Sequence, residues 1–238
     1  MTHTLALAAS LGLAAVLCGQ SVQAQTSVVV GDPDGPNSIP FAAGQYSGEY
    51  QLVFDSHVFA APVSISQIAF ASDFTSYPAP GVATYDLVAG MGTTSSSSLN
   101  PTPNFSANKR ADFTTIFTGT LTTQQTDSQT FDFFLNLASP FVYDPSKGNL
   151  LFDVVVKSSS GPSNMGLTDS YTTATNTTYV GRVFHPYSAN ANEVASDNEG
   201  LWTRFLVTPA PEPSQFAALG IGLLGLGALA LKAKRRTA

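Results

Sequence analysis

Apolar and polar residues alternate through the middle of this chain, and that alternation is its clearest regularity. Over Thr130–Leu137, Phe131, Phe133, Leu135 and Leu137 fall on one side, with Thr130, Asp132 and Asn136 on the other. This is the two-residue period of a half-buried strand, and only Phe134 breaks it. Asn149–Lys157 turns Leu150, Phe152, Val154 and Val156 inward and sets Asp153 and Lys157 among the alternates. Shorter β-branched and aromatic runs predict strands at Val28–Val30, Glu49–Phe54, Ser64–Ala71, Thr84–Ala89, Phe113–Gly119, Thr178–Phe184 and Leu201–Val207. Turn residues separate them at Asp32–Pro36, Tyr77–Gly81 and Asp144–Asn149, the first too rich in proline to hold a strand. Thr93–Asn108 and Ser158–Asn176 read as long polar loops. Nine short strands and no convincing helix predict an all-β domain, an antiparallel β-sandwich of jelly-roll-like kind.

The two ends follow a different pattern, with continuous apolar blocks in place of alternation. The first runs from Leu5 to Leu17 and is followed by Val22-Gln23-Ala24, an A-x-A-like site. Residues 1–24 are therefore expected to be a signal peptide cut between Ala24 and Gln25, although the segment before the block holds no Lys or Arg. The second block, Phe216–Leu231, is sixteen residues of apolar and glycine character. As a helix it would cover about 24 Å, short of a ~30 Å hydrocarbon core unless Lys232 and Lys234 snorkel and the bilayer thins. The expected organisation is a β-domain over 25–207, a Pro-rich linker over 208–215, and a transmembrane helix with a basic tail over 216–238. The positive-inside bias keeps that tail cytoplasmic and the body outside.

Separating the ends changes the meaning of the composition. The whole chain has a formal charge of -6, but four of its ten cations lie in the last seven residues. The body keeps six cations against fifteen carboxylates, a net charge near -9. Such a surface repels phosphate backbones and argues against nucleic acid as a partner. The one cysteine, Cys18, falls inside the expected signal peptide, so removal of residues 1–24 leaves a chain without thiols, which fits export.

The tail carries a resemblance. Pro211-Glu212-Pro213, a single short span and the terminal pair Arg235 and Arg236 together resemble the PEP-CTERM sorting signal of Gram-negative bacteria. That resemblance implies recognition of Pro211, Glu212 and Pro213 by exosortase, a membrane-embedded transpeptidase-like protease, with Arg235 and Arg236 as the basic stop. It implies export across the inner membrane by the secretion machinery, residence in that membrane until the tail is removed, and release to the cell surface or medium. The body is similar to small β-rich PEP-CTERM cargo domains of unassigned activity, through Tyr50–Phe54, Pro140–Pro145 and Gly148–Asp153. The context this implies is the surface or the exopolysaccharide matrix of a biofilm.

Candidate chemistry is sparse. His57 and His185 remain after processing, and neither has a His or Cys partner at metal-ligand spacing. No G-x-S-x-G elbow occurs, and the carboxylates that a glycosidase would pair are scattered. No catalytic residue is expected, and no cofactor beyond a structural calcium. For that ion Asp32, Asp34 and Asn37 offer oxygen donors at loop spacing, though without the distal bidentate Glu, and Asp197-Asn198-Glu199 offers a second group. Trp202, the sole tryptophan, lies beside Arg204 in an expected strand, which favours a core position. Its alternative role is to stack on sugar rings, with Tyr77, Tyr171 and Tyr187 as further loop aromatics. The functional expectation is a non-catalytic exported surface or matrix protein. The alternatives are a carbohydrate-binding module of that matrix and, behind it, a secreted hydrolase.

Overall fold

Thirteen strands account for nearly all the regular structure of a computed structural model that describes residues 24–31, 36–37, 39–43, 46–73, 81–126, 130–161, 166–170, 179–185 and 194–210. The strands are β1 (Thr26–Val30), β2 (Pro36–Asn37), β3 (Gly48–Phe54), β4 (Val63–Asp73), β5 (Gly81–Thr94), β6 (Thr114–Gln125) and β7 (Phe131–Tyr143). They continue as β8 (Asn149–Ser160), β9 (Gly166–Ser170), β10 (Val180–Phe184), β11 (Ala195–Asp197), β12 (Gly200–Leu201) and β13 (Thr203–Pro209). One sheet runs β1-β13-β4, with β7 on the other edge of β4; β9, carrying β2 and β12, pairs at the far end of β4. The second sheet runs β11-β10-β3-β8-β5-β6. All pairings are antiparallel, so the expectation of an all-β domain holds.

Alternation explains how the sheets meet. β5 turns Ala83, Tyr85, Leu87, Ala89 and Met91 inward, and β8 adds Leu150, Phe152, Val154 and Val156. Rings from the two sheets meet between them: Phe54 lies edge-on to Phe205 at 4.9 Å, and Phe70 is 5.7 Å from Phe152. The Phe41 ring fits against Phe133 at 4.4 Å and edge-on to Tyr85 at 5.6 Å. Quadrupole-favoured edge contacts of this kind add to the area term that holds the core. The Tyr85 hydroxyl donates to the Phe41 carbonyl at 2.8 Å, which satisfies a polar group deep in the core, and burial raises its pKa.

Several expectations need correction. Pro36–Asn37 does pair, for two residues, with Leu167 and Thr168 of β9. The expected loop over Ser158–Asn176 holds the end of β8 and all of β9. The expected strand Leu201–Val207 is split at Trp202 into β12 and β13. Asp153, an expected solvent-side alternate, is only 4% exposed.

That last burial comes from the segment expected to be a polar loop over Thr93–Asn108. Thr93 and Thr94 finish β5, and residues 95–113 then cross the outer face of β10, β3 and β8 as a strap. One helical turn, Phe105–Asn108, is capped by Asn104, whose side chain accepts from the Ala107 amide at 3.0 Å. Ser96, Ser98, Phe105 and Asn108 are buried beneath or within the strap. Gly181 of β10 makes the close approach workable, because a Cβ there would lie 2.1 Å from the Ser98 carbonyl oxygen.

Of the terminal features, Ala24, Gln25 and the first three residues of the expected linker fall within the described residues. Thr208 and Pro209 belong to β13, so the strand runs two residues past the expected domain end, while Ala24 and Gln25 are exposed and the Gln25 amide donates to Ser66 Oγ at 3.0 Å. The remainder of the expected signal peptide, Pro211, Glu212, Pro213, the span Phe216–Leu231, Arg235 and Arg236 lie outside them. Among the described residues no helix is long and apolar enough to cross a membrane. Gln25–Pro209 forms one compact unit, and its first and last strands are paired, with Thr26 opposite Val207.

Candidate functional site

A β-bulge builds a partly exposed aromatic cluster on the outer face of β7. Phe70 of β4 pairs with Phe133 of β7, yet the next residue, Ala71, pairs with Phe131, so Asp132 is an extra residue on β7. A bulge reverses the alternation beyond it and re-aims the side chain. Phe131, expected to point inward with Phe133, is thereby turned to the outer face of the sheet. The bulged Asp132 is held by the Ser72 hydroxyl and by the Thr126 amide at 2.7 Å.

On that outer face Phe131 meets the ring of Trp202 at 4.6 Å with the planes tilted by 51°. Trp202 is half-buried between β12 and β13 and does not join the core, contrary to the position its expected strand favoured. The Arg204 guanidinium sits 4.9 Å from the Phe131 centroid and 5.8 Å from that of Phe134. Register explains the second contact: Arg204, Ala69 and Phe134 lie side by side across β13, β4 and β7, and Val29 of β1 is opposite Arg204. Phe134 and Val29 are 38% and 49% exposed. Phe134, the residue that broke the alternation in sequence, is therefore part of this patch. In the neighbouring row the Gln67 amide donates to Asn136 Oδ1 at 2.7 Å. That bond leaves the Asn136 amide hydrogens and the Gln67 carbonyl oxygen directed to other partners.

The charge environment of Arg204 differs from that of the other cations. Lys109 is bonded to Glu49 and Asp153, Lys147 lies near Asp144, Lys157 near Asp86, and Arg182 pairs with both Asp197 and Glu199. Arg110 donates to the Lys147 carbonyl at 2.7 Å. Among the described residues Arg204 has aromatic rings as its partners and no carboxylate.

A second cluster lies under the strap. Lys109 Nζ is 2.9 Å from Glu49 Oε1 and 3.1 Å from Asp153 Oδ2. Gln51 donates to Asp153 Oδ1 at 2.8 Å and to the Phe105 carbonyl at 3.0 Å, while Asn108 donates to Gln51 Oε1 and to the Thr102 carbonyl, both at 2.9 Å. Burial pushes the Asp153 carboxyl up to about 7, with Glu49 adding to the shift and Gln51 and Lys109 opposing it. Burial pulls the Lys109 ammonium down, but its bonds to Glu49 and Asp153 outweigh that and leave it above the usual lysine range. That Glu49 and Asp153 are neighbours was not legible in their spacing, since they meet only through the pairing of β3 with β8. Lys109 bridges them and the strap roofs them, so they do not flank an open cleft as an acid/base pair would.

The other expected residues are soon placed. Asn37 appears only through its backbone pairing with Leu167, and Asp32, Asp34, Tyr77, Tyr171 and Tyr187 lie outside the described residues. Asp197 and Glu199, offered as a second calcium group, are held by Arg182. Among the described residues no three His, Cys, Asp or Glu side chains converge on a metal position. His57 is exposed with Nδ1 2.7 Å from Asp55, and the His185 ring lies 5.0 Å from Phe105. Comparison of the chain with protein-family models and with curated protein sequences finds no match.

Proposed function

We propose that this is an exported, exosortase-processed, non-catalytic protein of the cell surface or the exopolysaccharide matrix. Its body would be a jelly-roll-like sandwich between a signal peptide and a membrane span that are both removed. The strand orders β1-β13-β4-β7 and β3-β8-β5-β6, with β10 and β11 added at one edge, support the jelly-roll-like description. The observation that carries the functional reading is the closure of the body. With Thr26 opposite Val207, cuts after Ala24 and beyond Pro209 would leave every described strand in place. The test is fractionation with sequencing of both termini, in an exosortase-bearing host and in the same host without the enzyme. The expected product begins at Gln25 and lacks Phe216–Ala238 only when exosortase is present; an intact C-terminus in the exported protein would contradict the reading.

The aromatic patch favours a second, compatible reading, a carbohydrate-binding module of the matrix. Trp202, Phe131 and Phe134 offer apolar ring surface beside the polar pair Gln67 and Asn136, the mixture that a sugar with one apolar and one hydroxylated face requires. Retention of the purified protein on the host's own polysaccharide would support it, and passage without delay would count against it.

A further inference from the structure

We propose that the outer face around Trp202 and Arg204 is a subsite for a carboxylate-bearing sugar, a uronic-acid unit within a polysaccharide. The inference rests on the carbohydrate-binding reading and adds the class of sugar.

Arg204 carries the argument. The body bears fifteen carboxylates and six cations, so acidic partners are abundant, and four of the other five cations have taken one. Arg204 has none among the described residues. It is held instead against Phe131 and Phe134 at 4.9 and 5.8 Å. Cation–π contact of this kind fixes the guanidinium plane without consuming its in-plane N–H donors. A planar fork held in that way matches a carboxylate arriving from outside in bidentate geometry. Its neighbours suit the rest of a sugar. Trp202, Phe134 and Val29 supply apolar surface, and the Gln67–Asn136 pair keeps one acceptor and amide hydrogens for hydroxyls.

The net charge near -9 limits what can bind. A densely charged polyanion is repelled as a whole, but at physiological salt the repulsion is screened beyond about 8 Å. A single carboxylate seated against this face meets Arg204, which rests on rings, while Asp132, the acidic residue beside Phe131, is already bonded to the Ser72 hydroxyl and the Thr126 amide. The face thus selects a sparsely acidic glycan over nucleic acid.

Trp202 is the only tryptophan in the chain, so its emission reports on this face alone. The purified full chain is titrated with a trisaccharide that carries one galacturonate unit among two galactose units, and with galactotriose of the same linkage, the carboxyl-free counterpart. The expected result is a saturable change in Trp202 emission with the mono-acidic trisaccharide and affinity for galactotriose about tenfold weaker, the usual scale for one charge-assisted pair. Arg204→Gln should abolish the preference, and Arg204→Lys should restore part of it. Phe134→Ala, at an exposed position, should weaken both sugars while preserving the preference, so the result does not hang on one variant. Equal affinity of the wild type for the two sugars, or a preference that survives Arg204→Gln, overturns the carboxylate assignment while leaving sugar binding in place. If Trp202 responds to neither sugar, this subsite is overturned; if the host's polysaccharide is not retained either, the carbohydrate reading falls with it.

Discussion

The two outer faces of the sandwich treat their polar groups in opposite ways. Beneath the strap, Lys109 satisfies two carboxylates, Gln51 bonds three ways, and Asn108 ties the helical turn to β3. On the far face, Arg204 rests on rings and has no carboxylate partner among the described residues, and Phe134 and Val29 are open to solvent. The first arrangement is what a buried polar network needs in order to exist at all, since an unmet charge away from water costs several kcal/mol. The second is not required by folding, for a half-buried cation that still reaches solvent gains little from any fixed partner. Saturated polarity therefore accounts for the strap face as structure, and the open face around Arg204 is where the proposed sugar contact is to be tested.

Substitutions can break or sharpen that contrast. Lys109→Met removes the cation between buried Asp153 and half-buried Glu49 and should cost about 3 kcal/mol at neutral pH, measured by urea unfolding. Gly181→Ala forces a methyl group into the Ser98 carbonyl and should lift the strap at a cost of about 2 kcal/mol. A change below about 0.5 kcal/mol at either site would mean that the strap contributes nothing to stability.

The pH dependence is a subtler test. The folded-state pKa of Asp153, about 7, lies above its ordinary value of 3.8, so the native state holds this proton more tightly than the unfolded chain. The stability linked to it is fully present below about 4 and is lost as pH rises through 7. Asp153→Asn should flatten the denaturation midpoint over that window, and the penalty of Lys109→Met should shrink at pH 5, where Asp153 is protonated. The smallest effect is expected on the open face: Phe134→Ala should change stability by about 0.5 kcal/mol, mostly through the lost contact with Arg204.

The contrast also explains what could be read from the sequence. Local alternation identified β7 and β8, because each strand's inner face is set by its own period. It could not show that Asp153 is buried, since the cover comes from a strap, residues 95–113, that lies 40 to 58 positions away and whose composition reads as loop. Nor could it show that Phe131 faces outward, because the bulge at Asp132 exists only in the pairing with β4. β9 was missed for a similar reason, as a polar five-residue strand has no pattern of its own. For the patch there was one usable signal, the phenylalanine at 134 that broke the alternation. Trp202 was singled out with the wrong favoured position, because a lone indole in an apolar run reads as core until the chain is seen to leave the strand there.

The most direct test of the central contrast is retention of the full chain on the host's own exopolysaccharide, with one pair of substitutions on each outer face. Arg204→Gln with Phe134→Asp alters the open aromatic face, whereas Thr118→Asp with Thr122→Asp alters an exposed row on the other sheet. The first pair is expected to abolish retention and the second to leave it unchanged. Retention that survives the first pair, or is lost only with the second, would contradict it.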